Sequence, residues 1–383
     1  MNQKELELYI HIPFCVKKCS YCDFLSAPAT EQTKEAYMAA LFAEIGGRAK
    51  DYKDRIVTSV FIGGGTPSLL SGDSIRQLME HIREGFSLAP DAEITMEVNP
   101  GTVTTEKLTA YYGAGINRLS IGMQSAQEQE LKILGRIHDF DGFCQVYREA
   151  VEAGFTNINV DVMSGLPGQT LASYKDTLEK VLRLEPMPQH ISAYSLIVEE
   201  GTPFAAMADR GELPLPEEDT ERAMYEETIE VLAGYGFHRY EISNYALDGY
   251  ECRHNVGYWI RRDYLGFGIG AASLIGNVRF QNGRDLNAYL AHPLACREEQ
   301  QPLTTQEQME ETMFLGLRLI RGVSYPEFAR CYGQTLEEVY GEVIARNVAD
   351  GLLAVREDET GRHLMLTGRG LDVSNYVMAQ FLF

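Results

Sequence analysis

The chain has 383 residues, 45% of them hydrophobic and 23% charged, with a formal net charge of −21. That length allows one large core plus a smaller appended domain, and the acidity disfavours a nucleic-acid partner. No apolar run reaches the roughly 20 residues of a membrane helix and no basic-then-apolar leader opens the chain, so a soluble cytoplasmic protein without a membrane span is expected.

In chain order, strand-like runs lie at 8–12 (LYIHI), 59–62 (SVFI), 94–98 (ITMEV), 118–123 (RLSIGM), 158–162 (INVDV) and 191–196 (ISAYSL). Helical patterns separate most of them, at 31–50, 72–86, 127–152 and 170–184. This alternation predicts an α/β fold with a parallel sheet and right-handed crossovers. Six such units are too few for a closed eightfold barrel but enough for a partial one, a (β/α)6 TIM-like barrel.

Alternate residues of a strand face opposite sides of the sheet. One parity collects Ile10, Ile12, Val60, Ile62, Ile94, Met96, Val98, Leu119, Ile121, Ile158, Val160 and Val162. The other collects Tyr9, His11, Ser59, Thr95, Glu97, Asn99, Ser120, Gln124, Asn157, Asn159 and Asp161. The apolar parity is expected to meet the helices and the polar parity to line the interior. A polar interior has to be satisfied by something, which predicts a cavity holding a polar ligand. An ordinary sheet with one wet face is the alternative.

Near residue 300 the pattern changes. Helical stretches EETMFLGLRLIRG and TLEEVYGEVIARNVADGLL precede LLAVREDETGRHLMLTGRG, which reads as a hairpin. Helices followed by a hairpin suggest a smaller winged-helix-like C-terminal domain. Residues 303–383 hold 12 acidic residues against 7 Lys/Arg, a poor balance for phosphate contacts, so an interaction or lid role is expected. The expected division is a barrel at 1–245, a connecting segment at 246–300 and the C-terminal domain at 301–383.

Three of the seven cysteines, Cys15, Cys19 and Cys22, crowd into eight residues after the first strand. The other four, Cys144, Cys252, Cys296 and Cys331, are isolated, and an odd count argues against a disulfide framework. Structural zinc usually takes four ligands, so zinc would need His11 or Asp23 to complete the set. A [4Fe–4S] cluster normally takes four thiolates; with three, one iron stays open to a small molecule.

C-x3-C-x2-C, with Tyr21 just before the third cysteine, resembles the cluster loop of the radical S-adenosylmethionine (SAM) superfamily. The resemblance implies a [4Fe–4S] cluster on Cys15, Cys19 and Cys22, whose open iron binds SAM, and an electron donor for the cluster. It also implies the partial barrel. Within FIGGGTPS, Gly64, Gly65 and Thr66 fall where that superfamily holds the SAM amino group. Glu97 would pair with that ammonium, Arg136 would clamp the carboxylate, and Gln124 and Asp161 suit ribose hydroxyls. Tyr9 and Tyr21 flank the cluster. Each of these residues alone also reads as an ordinary structural polar group.

YIHIPFC, GGGTPS, SIGMQS, GLPGQT and SLIVEEGTP together resemble the oxygen-independent coproporphyrinogen III dehydrogenase group and its haem-chaperone relatives of the HemW type. The dehydrogenases carry a further cysteine at the position of Phe24 and a long N-terminal extension, whereas here only eight residues precede Tyr9. The chaperones are associated with H-N-x-x-Y-W, present as His254, Asn255, Tyr258 and Trp259. The resemblance implies haem, with His254 as a candidate axial ligand and Cys252 as its rival, and haem-accepting proteins as partners. His254 also reads as a loop histidine bonded to its neighbours. Two functions stay open: haem transfer without dehydrogenase activity, and radical decarboxylation of coproporphyrinogen III.

Overall fold

The computed structural model describes residues 4–382. Strands β1 (Lys4–Ile12), β2 (Arg55–Gly64), β3 (Ser87–Val98), β4 (Arg118–Gln124), β5 (Ile158–Ser164) and β6 (His190–Ser195) pair in parallel, in chain order. The crossovers carry α1 (Glu31–Ala49), α2 (Gly72–Gly85), α3 (Thr105–Gly113), α4 (Glu128–Leu134), α5 (Phe140–Glu152) and α6 (Leu171–Leu182). Several helix starts are set by short polar side chains. Thr30, Ser71, Thr104, Asp139 and Thr170 each accept a backbone N–H of the first turn.

The single helix expected over 127–152 is two. Gly135 takes the left-handed conformation (φ 75°) and ends α4, and Asp139 caps a new start. The break leaves Arg136 in a loop over the strand ends.

The parity expectation describes the packing. Ile10, Ile12, Val60, Ile62, Met96, Leu119, Ile121, Val160 and Val162 are fully buried in one core with Leu41, Ile75, Leu78, Leu108, Phe143 and Leu178 of the crossover helices. Burying such side chains is worth about 1.5–3 kcal/mol each, so this face drives assembly. The polar parity is left to line the barrel.

Six strands understate the sheet, which has twelve. After α7 (Pro203–Asp209) and α8 (Glu218–Gly234), β7 (His238–Arg239) and β8 (Asn244–Ala246) add antiparallel pairing beyond β6. Helix α9 (Arg253–Trp259) follows, and β9 (Tyr264–Phe267) pairs in parallel with the opposite edge, β1. β10 (Ala272–Ile275), β11 (Val278–Gln281) and β12 (Gln301–Pro302) extend that edge antiparallel, with α10 (Leu286–Ala291) between the last two. Runs of four residues or fewer carry too little alternation to announce themselves.

The C-terminal region has its own core, gathered from Met309 to Phe381. It contains α11 (Thr305–Gly316), β13 (Val323–Ser324), α12 (Tyr325–Tyr332), α13 (Leu336–Ala349), β14 (Leu353–Asp358), β15 (Gly361–Leu366), α14 (Gly368–Asp372) and α15 (Ser374–Ala379). Helices against a three-stranded antiparallel sheet make it winged-helix-like. The first helix starts within QPLTTQEQME, where Thr304 and Glu307 form a capping box. No described helix is long and apolar enough to cross a membrane.

Candidate functional site

Beyond β1 the chain makes a loop whose ends are clasped. Cys15 N–H donates to Ala27 O (3.1 Å), and Ala27 N–H donates to Pro13 O (3.0 Å). Between these bonds Cys15, Cys19 and Cys22 are half-buried free thiols lining one cavity of about 500 Å³. Burial raises the Cys22 thiol pKa. The Thr66 hydroxyl reaches Cys15 Sγ at 3.5 Å, and Arg136 Nη1 reaches Cys19 Sγ at 3.9 Å. Donors of this kind support thiolate ligands.

Of the two residues that could complete a zinc set, Asp23 lines the same cavity as the cysteines and His11 a neighbouring one. Among the described residues no three His, Cys, Asp or Glu side chains converge on one point. His11 is engaged elsewhere, with Nε2 2.9 Å from Leu25 O and Nδ1 3.0 Å from the Tyr9 hydroxyl. One zinc ion needs its donors around a single centre. In a cubane each thiolate meets a different iron, so three thiols spread around a cavity fit that group instead.

The same cavity is lined by Tyr21, Gly64, Gly65, Thr66, Glu97, Gln124, Arg136 and Asp161. All come from the cluster loop, the strand ends or the turn after α4, so the polar parity and the break at Gly135 converge here. The glycines are also required by packing. A Cβ on Gly64, whose φ is +113°, would lie 2.5 Å from the His11 ring, and one on Gly65 would lie 2.7 Å from Phe14 O. Tyr9 is the exception. It faces a neighbouring cavity with His11, Glu97, Tyr258 and Tyr264.

Glu97 Oε2 accepts from Gly64 N–H at 2.9 Å and has no ion-pair partner among the described residues. Burial pushes its pKa up to about 7, helped by the charge of Asp161 and opposed by the Gly64 bond. Asp161 is pushed up to about 6 by burial, against bonds from Asn159 and Ser120 and the charges of Arg118 and Arg136. Two buried carboxylates without a paired cation are suited to a cationic ligand. Arg136 Nη2 donates to Asn99 Oδ1 (2.8 Å) and to Gly122 O, its Nε has no partner, and no carboxylate among the described residues pairs with it. Gln124 holds φ +70°, a conformation that costs a non-glycine residue about 1–2 kcal/mol, and the Tyr194 hydroxyl donates to its Oε1 at 2.9 Å. The cavity can therefore hold a zwitterionic, cationic molecule against an iron–sulfur cluster.

His254, the candidate axial ligand, lies in the second motif. It sits on α9, 1% exposed, inside the barrel, stacked on Phe61 with ring centroids 5.2 Å apart. Nδ1 lies 2.8 Å from Ser59 Oγ and Nε2 3.1 Å from the Tyr258 hydroxyl, so both ring nitrogens are engaged. Burial lowers its pKa to about 3, with the charges of Arg118 and Arg262 adding to the effect. The imidazole is therefore neutral, enclosed and bonded at both nitrogens within the chain. Cys252 is the rival candidate. It is fully buried, its Sγ donates to Glu93 at 3.4 Å, and burial raises its pKa to about 12. The motif packs tightly instead: a Cβ on Gly257 would lie 1.9 Å from Glu7 Oε1.

Several cavity residues escaped the sequence reading, Arg118 and Tyr194 among them. Arg118 shares the parity of Ser120 and Gln124, so extending the alternation by one step would have found it. Tyr194 lies on β6, whose inward parity (His190, Ser192, Tyr194) belongs with the other five strands.

Comparison with known proteins agrees with this geometry. The profile of the radical SAM superfamily matches residues 9–181, and that of the HemN C-terminal domain matches 303–373. The "Heme chaperone HemW" of Bacillus subtilis (strain 168) is 37% identical over 98% of both chains. Its counterpart in Lactococcus lactis is 36% identical over 100% of this chain and 98% of its own. The solved structure of coproporphyrinogen III oxidase (HemN) from Escherichia coli, described as a radical SAM enzyme, superposes with a TM-score of 0.84. It shares 26% identity and covers 99% of this chain and 90% of its own.

Proposed function

The chain belongs to the HemW family of haem chaperones within the radical SAM superfamily, and from there we propose that it binds a [4Fe–4S] cluster, SAM and haem and passes haem to acceptor proteins. One observation carries the cofactor part: three thiols without a fourth share a cavity with two buried carboxylates that lack a cation. Cys15, Cys19 and Cys22 would hold the cluster. Glu97 and the carbonyls around Gly64 and Gly65 would accept from the SAM ammonium, while the Arg136 fork, unpaired with any carboxylate among the described residues, would hold the SAM carboxylate. Gln124 and Asp161 would take ribose hydroxyls, with Tyr21 and Thr66 closing the cluster side. When bound together and given an electron by a donor, the two groups supply one-electron cleavage of a carbon–sulfur bond.

The second reading is the coproporphyrinogen dehydrogenase, favoured by the fold shared with HemN. Phe24 weighs against it. This residue is 60% exposed at the rim of the cavity, where the dehydrogenases carry another cysteine. The test is anaerobic incubation of cluster-loaded protein and SAM, with haem in one arm and coproporphyrinogen III in the other. Haem bound and no protoporphyrinogen formed is the expected result. Efficient formation of protoporphyrinogen would replace the chaperone reading with the enzyme.

A further inference from the structure

We propose that the lower part of the barrel cavity is a second ligand subsite, built by Arg118 and Asn255 to hold a carboxylate; that it lies beneath SAM rests on the reading just given. Arg118 begins β4, six residues before Gln124, which places it up to about 20 Å lower along the strand. It is 2% exposed and lines the cavity. Its guanidinium makes no hydrogen bond and no ion pair with any described residue, and its Nε is buried without a partner. The carboxylates that balance its charge, on Glu93 and Asp161, act from beyond ion-pair distance.

The surrounding groups sharpen the contrast. Asn159 Nδ2 donates to Ser120 and Asp161 at 2.7 Å each, and its Oδ1 meets His190 Nδ1 at 2.6 Å. Ser192 donates to Asn244 Oδ1 at 2.6 Å, and Asn244 Nδ2 donates to Glu241 at 2.6 Å. These groups are satisfied by neighbours, whereas the buried Nε of Arg118 and the buried Oγ1 of Thr95, its register partner on β3, are not; Asn255, half-buried, also lines the cavity, and its side chain makes no hydrogen bond to a described residue. A buried polar group left unpaired costs about 1–3 kcal/mol, and more when charged. Leaving a guanidinium so placed is explained by an acceptor that comes from outside the chain. A planar fork with an amide beside it matches a carboxylate, which can take two parallel N–H bonds. The cavity thus has two guanidiniums without a carboxylate partner among the described residues: Arg136 at its mouth, which also bonds Asn99, Gly122 and Cys19, and Arg118 at its floor, which makes no hydrogen bond to a described residue. The second also gives Asn255 a role inside the barrel.

The carboxylate can be a propionate limb of haem or belong to a separate small acid. The test uses Arg118→Met and Asn255→Leu beside the intact protein, with SAM and cluster loaded, and two probes. Sodium propionate is scored by the shift of melting temperature, and haem by titration of its Soret band. Saturable stabilisation by propionate in the intact protein, lost in both variants, assigns a small acid. Haem affinity weakened by about 10–100-fold in both variants, without a propionate effect, assigns the haem limb. If neither probe separates the variants from the intact protein, the subsite is wrong. Asn255→Leu keeps the test decisive if Arg118→Met does not fold. Failure of the intact protein to bind SAM, read from an unperturbed spectrum of the reduced cluster, would instead overturn the placement of SAM, while the propionate arm still reads Arg118 in the unloaded protein.

Discussion

The cysteine loop at 15–22 and the helix α9 at 253–259 carry the two most recognisable motifs of the chain, and they treat their reactive groups in opposite ways. The loop turns three thiols toward a cavity and leaves their neighbours Glu97, Asp161 and Arg136 without ionic partners among the described residues. The helix turns its imidazole inward and closes every bond it can make, to Ser59 on one side and Tyr258 on the other. Groups that await a ligand are unpaired and electrostatically strained, whereas groups that hold a fold are paired. A motif read from sequence does not distinguish the two; the partner of each atom does.

The sharpest way to break this contrast is to remove a thiol. Cys19→Ala should abolish reconstituted iron and its broad visible absorption, while Cys144→Ala should leave both intact; a full cluster in Cys19→Ala would refute the assignment. Next, Glu97→Ala should weaken SAM binding by about 2–5 kcal/mol, the cost of deleting a buried charged partner, without lowering the melting temperature of the unloaded protein. Binding is read by the change in the reduced cluster's paramagnetic resonance spectrum. His254→Ala should do the reverse. It empties a packed site and strands Ser59 and Tyr258, for a stability loss of about 2–4 kcal/mol in denaturant titration, with the cluster spectrum unchanged. Loss of haem binding in a variant that keeps its stability would assign His254 as a ligand.

The smallest effect is a pH dependence. Glu97 and Glu7 both have folded pKa values raised by burial, to about 7 and about 8, from 4.5. Arg262 pairs with Glu7 at 3.2 Å but is shared with Glu5 at 3.0 Å, so desolvation prevails. A raised carboxylate means that the folded state binds more protons than the unfolded one. Stability therefore falls as pH rises from about 4.5 through 8. SAM should flatten the part due to Glu97, because its ammonium supplies the missing cation, and leave the part due to Glu7. Thermal melts of Glu97→Gln and Glu7→Gln across that range separate the two, and a slope insensitive to SAM in the intact protein would count against Glu97 as its partner.

The barrel was legible because its strands are long and strictly alternating; Ile94, Met96 and Val98 against Thr95, Glu97 and Asn99 suffice to orient β3. Parity also brought Glu97, Gln124 and Asp161 to one cavity before any coordinates. The edge strands were not legible, since β9 is four residues long and its partner lies in β1. The burial of His254 was hidden for a related reason. It depends on Ser59 and Phe61, nearly two hundred residues earlier, and on Gly257 letting α9 approach Glu7. Local pattern has no access to such partners.

The pairing of Tyr9 with Gly266 sets a timetable for synthesis. The outer edge of β1 stays bare until a residue 266 − 9 = 257 positions later has been made, which takes about 13–50 s at 5–20 residues per second. Throughout that interval β1, and the cysteine loop that follows it, lack on that side the strand that flanks β1 in the folded protein.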